Sequence, residues 1–253
     1  MRIRRAIVEP DVFDAIYAGG TLPKSAATYL IGVLRLDEGT EIDIGDGAGH
    51  IARGRLRRAG RHWSVESVSL HEAPETAPGG QIVLWCGLLK PDRFRLVIEK
   101  AVELGVTAVQ PVISTHSAVR PPDAKLEGLV ARWQRIARDT TKQCLRLRAS
   151  TILPPRTLDE LTRDLADCNR ILATFSGVPV GALALSSTQP TVVAIGPEGG
   201  FHDSEQAILT NLGFQGLSLG AFPLRAETAA IASVTLLREA LNLSFSEGAT
   251  QCP

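Results

Sequence analysis

The sequence predicts an α/β protein in which a small β-rich segment precedes a domain built on a largely parallel sheet. Over most of the chain, short runs rich in Val, Ile and Leu alternate with longer helical patterns. Several of these helical patterns begin at Pro or Asp and end at Gly, as helices commonly do. The first 72 residues instead show alternating polar and apolar residues around a glycine-rich turn, which is typical of antiparallel strands.

The composition is that of a globular protein without a strong overall charge. The 253 residues include 44% apolar and 21% charged side chains, and 27 basic residues balance 27 acidic ones. A chain of this length can form one large or two modest domains. Because the net charge is zero, binding to a polyanion such as RNA must depend on a local cluster of cations. No apolar run approaches the roughly 18 residues that a membrane span needs.

The cysteines and histidines indicate no disulfide framework and no metal site. The four cysteines are widely spaced, form no C-x-x-C pair, and follow an N-terminus without the apolar core of a signal peptide. We therefore expect reduced, mostly buried thiols in a cytoplasmic protein. The five histidines are scattered without ligand spacing, so we expect no bound metal.

The N-terminal segment predicts one helix and three strands. The stretch SAATYLIGVLRL is helix-like, EIDIGDGAGHIARGRLRRAG predicts two strands around a glycine turn, and RHWSVESVSL predicts a third strand. Gly45, Gly47 and Gly49 spell G-x-G-x-G, but a dinucleotide-binding loop requires a helix directly afterwards. The alternating HIARGRLRR follows instead, so we interpret these glycines as a hairpin turn. The stretch HEAPETAPGG, rich in Pro, Gly and Ala, predicts the domain boundary.

The remainder of the chain predicts five strands and four helices. The strands are QIVLWCGLL, VTAVQPVIS, RILATF, TVVAIG and GLSLG. The helices are PDRFRLVIEKAVELG, DAKLEGLVARWQRIARDTTKQCLRLR, DSEQAILTNLG and AETAAIASVTLLREALNL. Asp203 and Gln206 stand in the register of a capping box at the third helix. Ligands of such parallel sheets bind beyond the carboxyl ends of the strands.

One predicted strand runs directly into a glycine-rich loop with a single carboxylate, in VVAIGPEGGF. Glycines are typical of places where backbone approaches another group closely, and we expect Gly196, Gly199 and Gly220 to leave room for a ligand. The loop is not a P-loop and has no cation for a phosphate, which Glu198 would repel. A neutral or cationic ligand fits better, and S-adenosylmethionine carries both a sulfonium and an ammonium group.

A second loop, LSLGAFPLRAETAA, places Arg225 at the start of a helix. A cation there opposes the helix dipole by about 0.3–1 kcal/mol when exposed. Glu227 is ordinary at this place, because a carboxylate in the first turn favours the dipole. Two interpretations remain open: a surface arginine paired with Glu227, or an arginine held for substrate.

These two loops and two upstream segments together resemble the ribosomal RNA small subunit methyltransferase E family of the SPOUT superfamily. The upstream segments are K-x-x-ELGV, which ends at Val106, and RWQRIARDTTKQCLRLRA. The four motifs occur in the family's order over roughly residues 82–242. The first 72 residues resemble the family's PUA-like RNA-binding domain more loosely.

The resemblance implies a PUA-like domain at 1–72 and a trefoil-knotted SPOUT methyltransferase domain at 81–243. The composition predicts a linker at 73–80, and the last residues, 244–253, carry no pattern and are expected to form a mobile tail. It implies a cytoplasmic homodimer that transfers a methyl group from S-adenosylmethionine to N3 of a uridine in 16S rRNA of the small ribosomal subunit. Three loops would hold this donor. The cofactor-binding residues that it implies are Thr174, Phe175, Gly177, Gly196, Pro197, Gly199, Gly200, Leu219, Gly220, Leu224 and Thr228.

Methylation of uracil N3 requires the loss of a proton, which calls for a base or for stabilisation of the anion. Our hypothesis is that Arg225 pairs with a developing negative oxygen of the base or fixes a neighbouring phosphate. Glu198 accepts the N3 proton, holds the amino group of the donor, or only caps a backbone N–H, and all three remain open.

RNA contact is expected at a cluster of cations on the predicted strands, with a solvated sheet edge as the alternative. These cations are Arg53, Arg55, Arg57, Arg58 and Arg61.

The chain departs from the family pattern at four places, none of them in the two cofactor motifs. Thr28 or Tyr29 replaces a His, His116 an Arg, Lys142 a Glu and Leu145 a Gly. Three of these positions are expected on surfaces that meet RNA.

Two other functions are alternatives to uridine-N3 methylation: another SPOUT reaction such as ribose 2′-O-methylation, and a non-catalytic RNA-binding assembly factor. A nucleotide-binding enzyme of the ordinary Rossmann type is disfavoured by the missing glycine–helix fingerprint.

Overall fold

A computed structural model describes residues 4–72 and 80–241 of the chain. Within these ranges the chain forms two compact units. The first contains residues 4–72 and 141–149, and the second contains residues 80–140 and 150–241. The predicted linker, except Gly80, and the predicted tail lie outside the described residues. No helix in the described ranges is long and apolar enough to cross a membrane.

The first unit is a four-stranded sheet with short helices. Its strands are β1 (Arg4–Ile7), β2 (Glu41–Gly45), β3 (His50–Ala59) and β4 (His62–Glu72). Its helices are α1 (Pro10–Tyr17) and α2 (Lys24–Ala27), and α2 continues as a π-helix over Thr28–Val33. β1 pairs with β2 in parallel, whereas β2, β3 and β4 form an antiparallel meander. The glycine hairpin is confirmed, with Gly47 and Gly49 at positive φ. β1 and α1 are not predicted from the sequence, because each is too short to show a period.

A buried carboxylate ties the strands of the first unit together. Asp43 on β2 is fully buried. Arg53 donates to it from Nε at 2.7 Å and from Nη2 at 3.1 Å, and Arg5 donates from Nη2 at 3.3 Å. A buried charge is tolerated only when it is paired and hydrogen-bonded in this way. Arg53 therefore has a structural partner within the sheet.

The segment 141–149 belongs to the first unit although it follows the long helix in the chain. Leu147 packs with Ile7 and Ile51, and the Ala149 N–H donates to the Gly47 carbonyl at 2.7 Å. Leu145 has φ of 60°, in the left-handed region that favours glycine. A leucine in this conformation stores strain of about 1 kcal/mol, because its Cβ crowds the following carbonyl oxygen.

The second unit is built on a seven-stranded sheet in which all recorded pairs are parallel, as predicted. The strand order is β11-β9-β10-β5-β6-β7, with β8 also paired to β6. The strands are β5 (Ile82–Gly87), β6 (Ala108–Ile113), β7 (Thr151–Ile152), β8 (Arg156–Thr157), β9 (Asn169–Val178), β10 (Thr191–Ile195) and β11 (Gln215–Leu217). β7 and β8 are too short for a periodicity argument to find.

Five helices complete the second unit: α3 (Pro91–Glu103), α4 (Asp123–Cys144), α5 (Leu158–Arg163), α6 (Asp203–Asn211) and α7 (Ala226–Ala240). The last turn of α4 belongs to the first unit. Four helices were predicted, and the short α5 was not. The predicted capping box of α6 is wrong by one residue, because His202 rather than Asp203 is the N-cap. The His202 ring accepts from the Ser204 N–H, while Glu205 accepts from the His202 N–H.

Candidate active site

The candidate site lies at the carboxyl edge of the parallel sheet. β5, β10 and β6 are neighbours and end at Gly87, Ile195 and Ile113. Because parallel strands end at one edge, the segments that follow them lie side by side. The predicted glycine-rich loop, Gly196–Gly200, follows β10, and a bond from the Gly200 N–H to the Pro197 carbonyl at 2.8 Å closes it.

A close backbone contact seats this loop against β5. A Cβ on Gly87 would lie 2.5 Å from the Pro197 nitrogen and 2.6 Å from its Cδ. Such distances do not occur for real side chains, so only glycine fits while the loop keeps its position. The sequence analysis does not single out Gly87, although its place at the end of an apolar strand is the same signal that identifies Gly196.

The predicted roles of the loop glycines are corrected in part. A Cβ on Gly196 would lie 2.7 Å from the Phe201 nitrogen, so this glycine shapes the loop itself. A Cβ on Gly199 would lie 3.1 Å from the His116 Cβ. Gly220 has open space around it, and its φ of 119° is the reason for glycine there. Gly200 also has open space around it, and its φ of 71° likewise accounts for the glycine.

The other predicted donor segments lie on neighbouring elements. Thr174, Phe175 and Gly177 are part of β9 rather than of a loop, because β9 extends to Val178 and pairs there with Leu217. A Cβ on Gly177 would meet the Leu217 backbone at 2.5 Å. Leu219, Gly220 and Leu224 follow β11, and Thr228 lies in the first turn of α7. Phe175 and Leu224 are exposed large apolar residues.

Three charged side chains meet at this edge, and we call them the carboxylate–guanidinium cluster: Arg93, Glu198 and Glu227. Arg93, in the first turn of α3, places Nη1 3.7 Å from Glu198 Oε1 and Nε 4.0 Å from Glu227 Oε1. Glu198 Oε1 also accepts a long bond of 3.5 Å from the Lys90 N–H, so the capping interpretation of this residue is observed. Two carboxylates face one guanidinium, which leaves the cluster with an excess of negative charge.

Glu227 is not the ordinary surface residue that the sequence analysis expects. It is only 7% exposed, and its Oε2 is buried without a hydrogen-bond partner among the described residues. Its ion-pair partner is Arg93, not Arg225. Arg225 is an exposed N-cap residue of α7 whose side chain makes no capping bond. Arg93 is also missed by sequence reasoning, although a cation in a first helical turn is the same signal that singles out Arg225.

The charged cluster lies near the fully buried Cys86 thiol on β5. Burial raises the pKa of Cys86 to about 12, and the negative charges of Glu198 and Glu227 act in the same direction. A thiol becomes nucleophilic only as the thiolate. Cys86 is therefore a buried, protonated packing residue at neutral pH.

His116, one of the departures from the family pattern, contacts the glycine-rich loop. Its Nδ1 lies 3.2 Å from the Gly199 carbonyl oxygen and 3.3 Å from that of Gly200. Because both partners are acceptors, we assign the proton to Nδ1. Its ring also meets His202 edge-on, with centroids 5.6 Å apart. This departure therefore touches the predicted donor site, in contrast to the sequence expectation.

A polar cavity of about 290 Å³ lies at the opposite edge of the sheet, near the starts of β9 and β11. Two of its polar side chains are bonded within the lining: Asn169 bonds to Ser186 and Thr191, and Gln215 bonds to Ala184 twice. Across 4–72 and 80–241, no group of three or more His, Cys, Asp or Glu residues is arranged to hold a metal ion.

Comparison with known proteins identifies relatives that share this architecture. The sequence profile of the RNA methyltransferase domain family matches residues 75–238. Ribosomal RNA small subunit methyltransferase E of Synechocystis is 32% identical over 247 residues, covering 93% of this chain and 78% of that protein. The protein of the same name from Mesomycoplasma hyopneumoniae is 33% identical over 158 residues, covering 62% of this chain and 69% of that protein. The Neisseria gonorrhoeae enzyme of that name, solved with S-adenosyl methionine bound, has 26% identity and a TM-score of 0.72 over 94% of this chain and 97% of that one.

We predict that Gly87→Ala destabilises the second unit by roughly 1–3 kcal/mol, because its methyl group would force Pro197 away from β5. Gly128→Ala is the matched control, since a Cβ there meets nothing within 4 Å on an exposed helix face. The control should stabilise by about 0.5–1 kcal/mol. Urea unfolding followed by circular dichroism measures both, and equal stability of the two variants would contradict the seating role of Gly87.

We also predict that Cys86 stays unmodified when the native protein is treated with iodoacetamide at pH 8. Its pKa of about 12 leaves almost no thiolate at that pH, and its burial excludes the reagent. Cys144 and Cys168, which are only half-buried, should be alkylated before Cys86. Peptide mass spectrometry before and after unfolding in urea reads out each site, and rapid native labelling of Cys86 would show that its pocket opens.

Proposed function

This chain belongs to the ribosomal RNA small subunit methyltransferase E family, and we propose that it transfers a methyl group from S-adenosylmethionine to N3 of a uridine in 16S rRNA of the small ribosomal subunit. The observation that carries the proposal is the similarity to proteins of that name over 93% of the chain, together with the glycine-rich loop at the carboxyl edge. The retained loops and charged cluster favour an enzyme over a non-catalytic assembly factor.

The charge and shape of the site fit this methyl donor. An excess of negative charge suits a ligand with sulfonium and ammonium groups, and the unpartnered Glu227 Oε2 lacks a hydrogen-bond donor. When bound, S-adenosylmethionine supplies a methyl carbon activated by its positive sulfur and leaves as neutral S-adenosylhomocysteine. The residues proposed to hold it are Thr174, Phe175, Gly177, Gly196, Pro197, Gly199, Gly200, Leu219, Gly220, Leu224 and Thr228.

Glu198 is the proposed proton acceptor. Its side chain is 25% exposed, and within residues 4–72 and 80–241 it accepts only the long bond from Lys90. The carboxylate therefore has free lone pairs at the edge where the acceptor base would lie. The N3–H bond breaks as the N3–methyl bond forms, and the proton passes to Glu198. Arg225, exposed at the start of α7, is proposed to meet a base oxygen or a neighbouring phosphate.

The first unit is proposed to be the PUA-like domain that binds RNA phosphates. Arg55, Arg57, Arg58 and Arg61 are exposed on or beside β3. Arg53 differs, because its guanidinium is bonded to the buried Asp43, so we no longer propose it as an RNA contact. Arg57 lies 3.5 Å from Glu38 and 3.8 Å from Glu66, both of which are also exposed. The four exposed arginines on and beside β3 are the proposed local cation cluster that a chain of zero net charge needs.

The trefoil knot, the homodimer and the cytoplasmic location remain part of the proposal. Support for the dimer comes from large apolar side chains that the second unit leaves exposed near the candidate site. Phe175 is 66% exposed and Phe222 is 80% exposed. Exposed clusters of this kind commonly mark protein interfaces.

Nucleoside mass spectrometry tests the acceptor atom. Purified protein is incubated with S-adenosylmethionine and small ribosomal subunits from a strain without uridine-N3 methylation, and the digested rRNA is analysed. We expect 3-methyluridine. A ribose-methylated nucleoside would overturn the acceptor but keep the donor, and the absence of any product despite donor binding would overturn the enzymatic proposal.

Arg225→Ala should lower turnover strongly, by about 100-fold if a charge-stabilising donor is lost. Donor affinity should stay within a few-fold, because the Arg225 side chain is exposed and outside the charged cluster. Turnover on small subunits and calorimetric titration with S-adenosylmethionine measure the two effects. Unchanged turnover would remove Arg225 from the site.

A further inference from the structure

The guanidinium of Arg93 is held between two carboxylates without being hydrogen-bonded to either. Its ion-pair distances are 3.7 Å to Glu198 and 4.0 Å to Glu227, both longer than a hydrogen bond. Among residues 4–72 and 80–241 no hydrogen bond from this side chain is recorded. An arginine has five N–H donors, and here all of them remain available.

Three other arginines of the second unit do donate hydrogen bonds to carboxylate or carbonyl oxygens. Arg95, two residues further along the same helix, donates to Glu99 at 2.8 Å. Arg120 donates to the Ser114 and Thr115 carbonyls, and Arg156 donates to Asp164 at 2.6 Å. Arg93 is 34% exposed at the side chain and stands at the carboxyl edge. Arg93 therefore has both unbonded N–H groups and a side chain that is accessible at the candidate site.

Resting on the proposed function, we propose that Arg93 is a further catalytic residue, which donates to a carbonyl oxygen of the acceptor pyrimidine as negative charge develops there. The oxygens of uracil that gain this charge are each two bonds from N3. Arg93 lies beside Glu198, the proposed proton acceptor, so the group that takes the proton and the group that meets the charge belong to one cluster. Planar donation from two N–H groups suits such an oxygen. Arg225, outside the cluster, is then left to fix a phosphate.

Glu227 acts in this scheme as a positioning residue for Arg93. It is 7% exposed, and burial restricts where its carboxylate can lie. A buried carboxylate with an unpartnered oxygen is costly, so a purely structural role would be better served by an apolar side chain. Its charge instead holds the Arg93 guanidinium at the edge of the sheet while leaving the N–H groups unbonded.

The test compares Arg93→Gln, Arg93→Lys and the control Arg95→Gln, which removes a cation from the same helix away from the cluster. Turnover on small subunits, calorimetric S-adenosylmethionine affinity and the pH profile of turnover are measured for each. Arg93→Gln should lose about 100-fold in turnover and at most a few-fold in donor affinity. Arg93→Lys should recover part of the loss, because lysine keeps the charge but not the planar donation. Arg95→Gln should match the wild type.

The pH profile separates a catalytic role from a structural one. Without Arg93 the uracil anion is less stabilised, so the remaining turnover of Arg93→Gln should rise more steeply towards alkaline pH than that of the wild type. Glu227→Gln should lower turnover by about tenfold, and the double variant should be no slower than Arg93→Gln alone, since Glu227 acts through Arg93. Thermal melting confirms that each variant is folded.

The outcomes distinguish this inference from the proposed function. If the wild type forms no 3-methyluridine, the proposed function is wrong and the inference falls with it. If the wild type forms it and Arg93→Gln is equally active, only the inference is overturned. A loss of turnover matched by an equal loss of donor affinity, with an unchanged pH profile, would also overturn it by assigning Arg93 to the donor.

Discussion

The candidate site depends on the parallel pairing of β5 with β10. These strands are about a hundred residues apart in the chain, yet their pairing places Gly87 against Pro197 at a distance that excludes any side chain. The glycine-rich loop can take its position only because β5 ends in a glycine. The first turn of α3 then brings Arg93 to the same loop. Strand register therefore decides where each charged group of the site lies.

The electrostatics of the site follow from this arrangement. Two carboxylates and one guanidinium share a partly buried edge, where charges interact more strongly than in bulk water. The excess negative charge suits a cationic methyl donor and opposes a phosphate. A single unbonded guanidinium within that surrounding can still meet the negative charge that develops on an acceptor base. Three side chains thus provide both the negative surroundings that suit the donor and the cation that stabilises the acceptor anion.

In the first unit, one arginine of the basic run pairs with a buried carboxylate, and the other arginines of the run stay exposed. Arg53 and Arg5 neutralise the buried Asp43, whereas Arg55, Arg57, Arg58 and Arg61 remain exposed. All of these arginines except Arg5 lie in a single run of the sequence, residues 53–61. What separates them is strand pairing, because Asp43 on β2 lies directly opposite Arg53 on β3. A chain without net charge can present a basic surface only if its arginines are not all paired in this way.

Local patterns in the sequence predict the parallel sheet, its main helices, the glycine hairpin and the glycine-rich loop, because these depend on periodicity and on residues with special backbone freedom. The family resemblance added the donor and the reaction class, which the comparisons support. The tertiary structure alone decided that Thr174–Gly177 is strand, that His202 caps α6, and that Glu227 is buried against Arg93. It also decided that Arg53 is structural. Each of these outcomes depends on contacts between segments far apart in the chain, and local patterns carry no information about which distant residue will supply the partner.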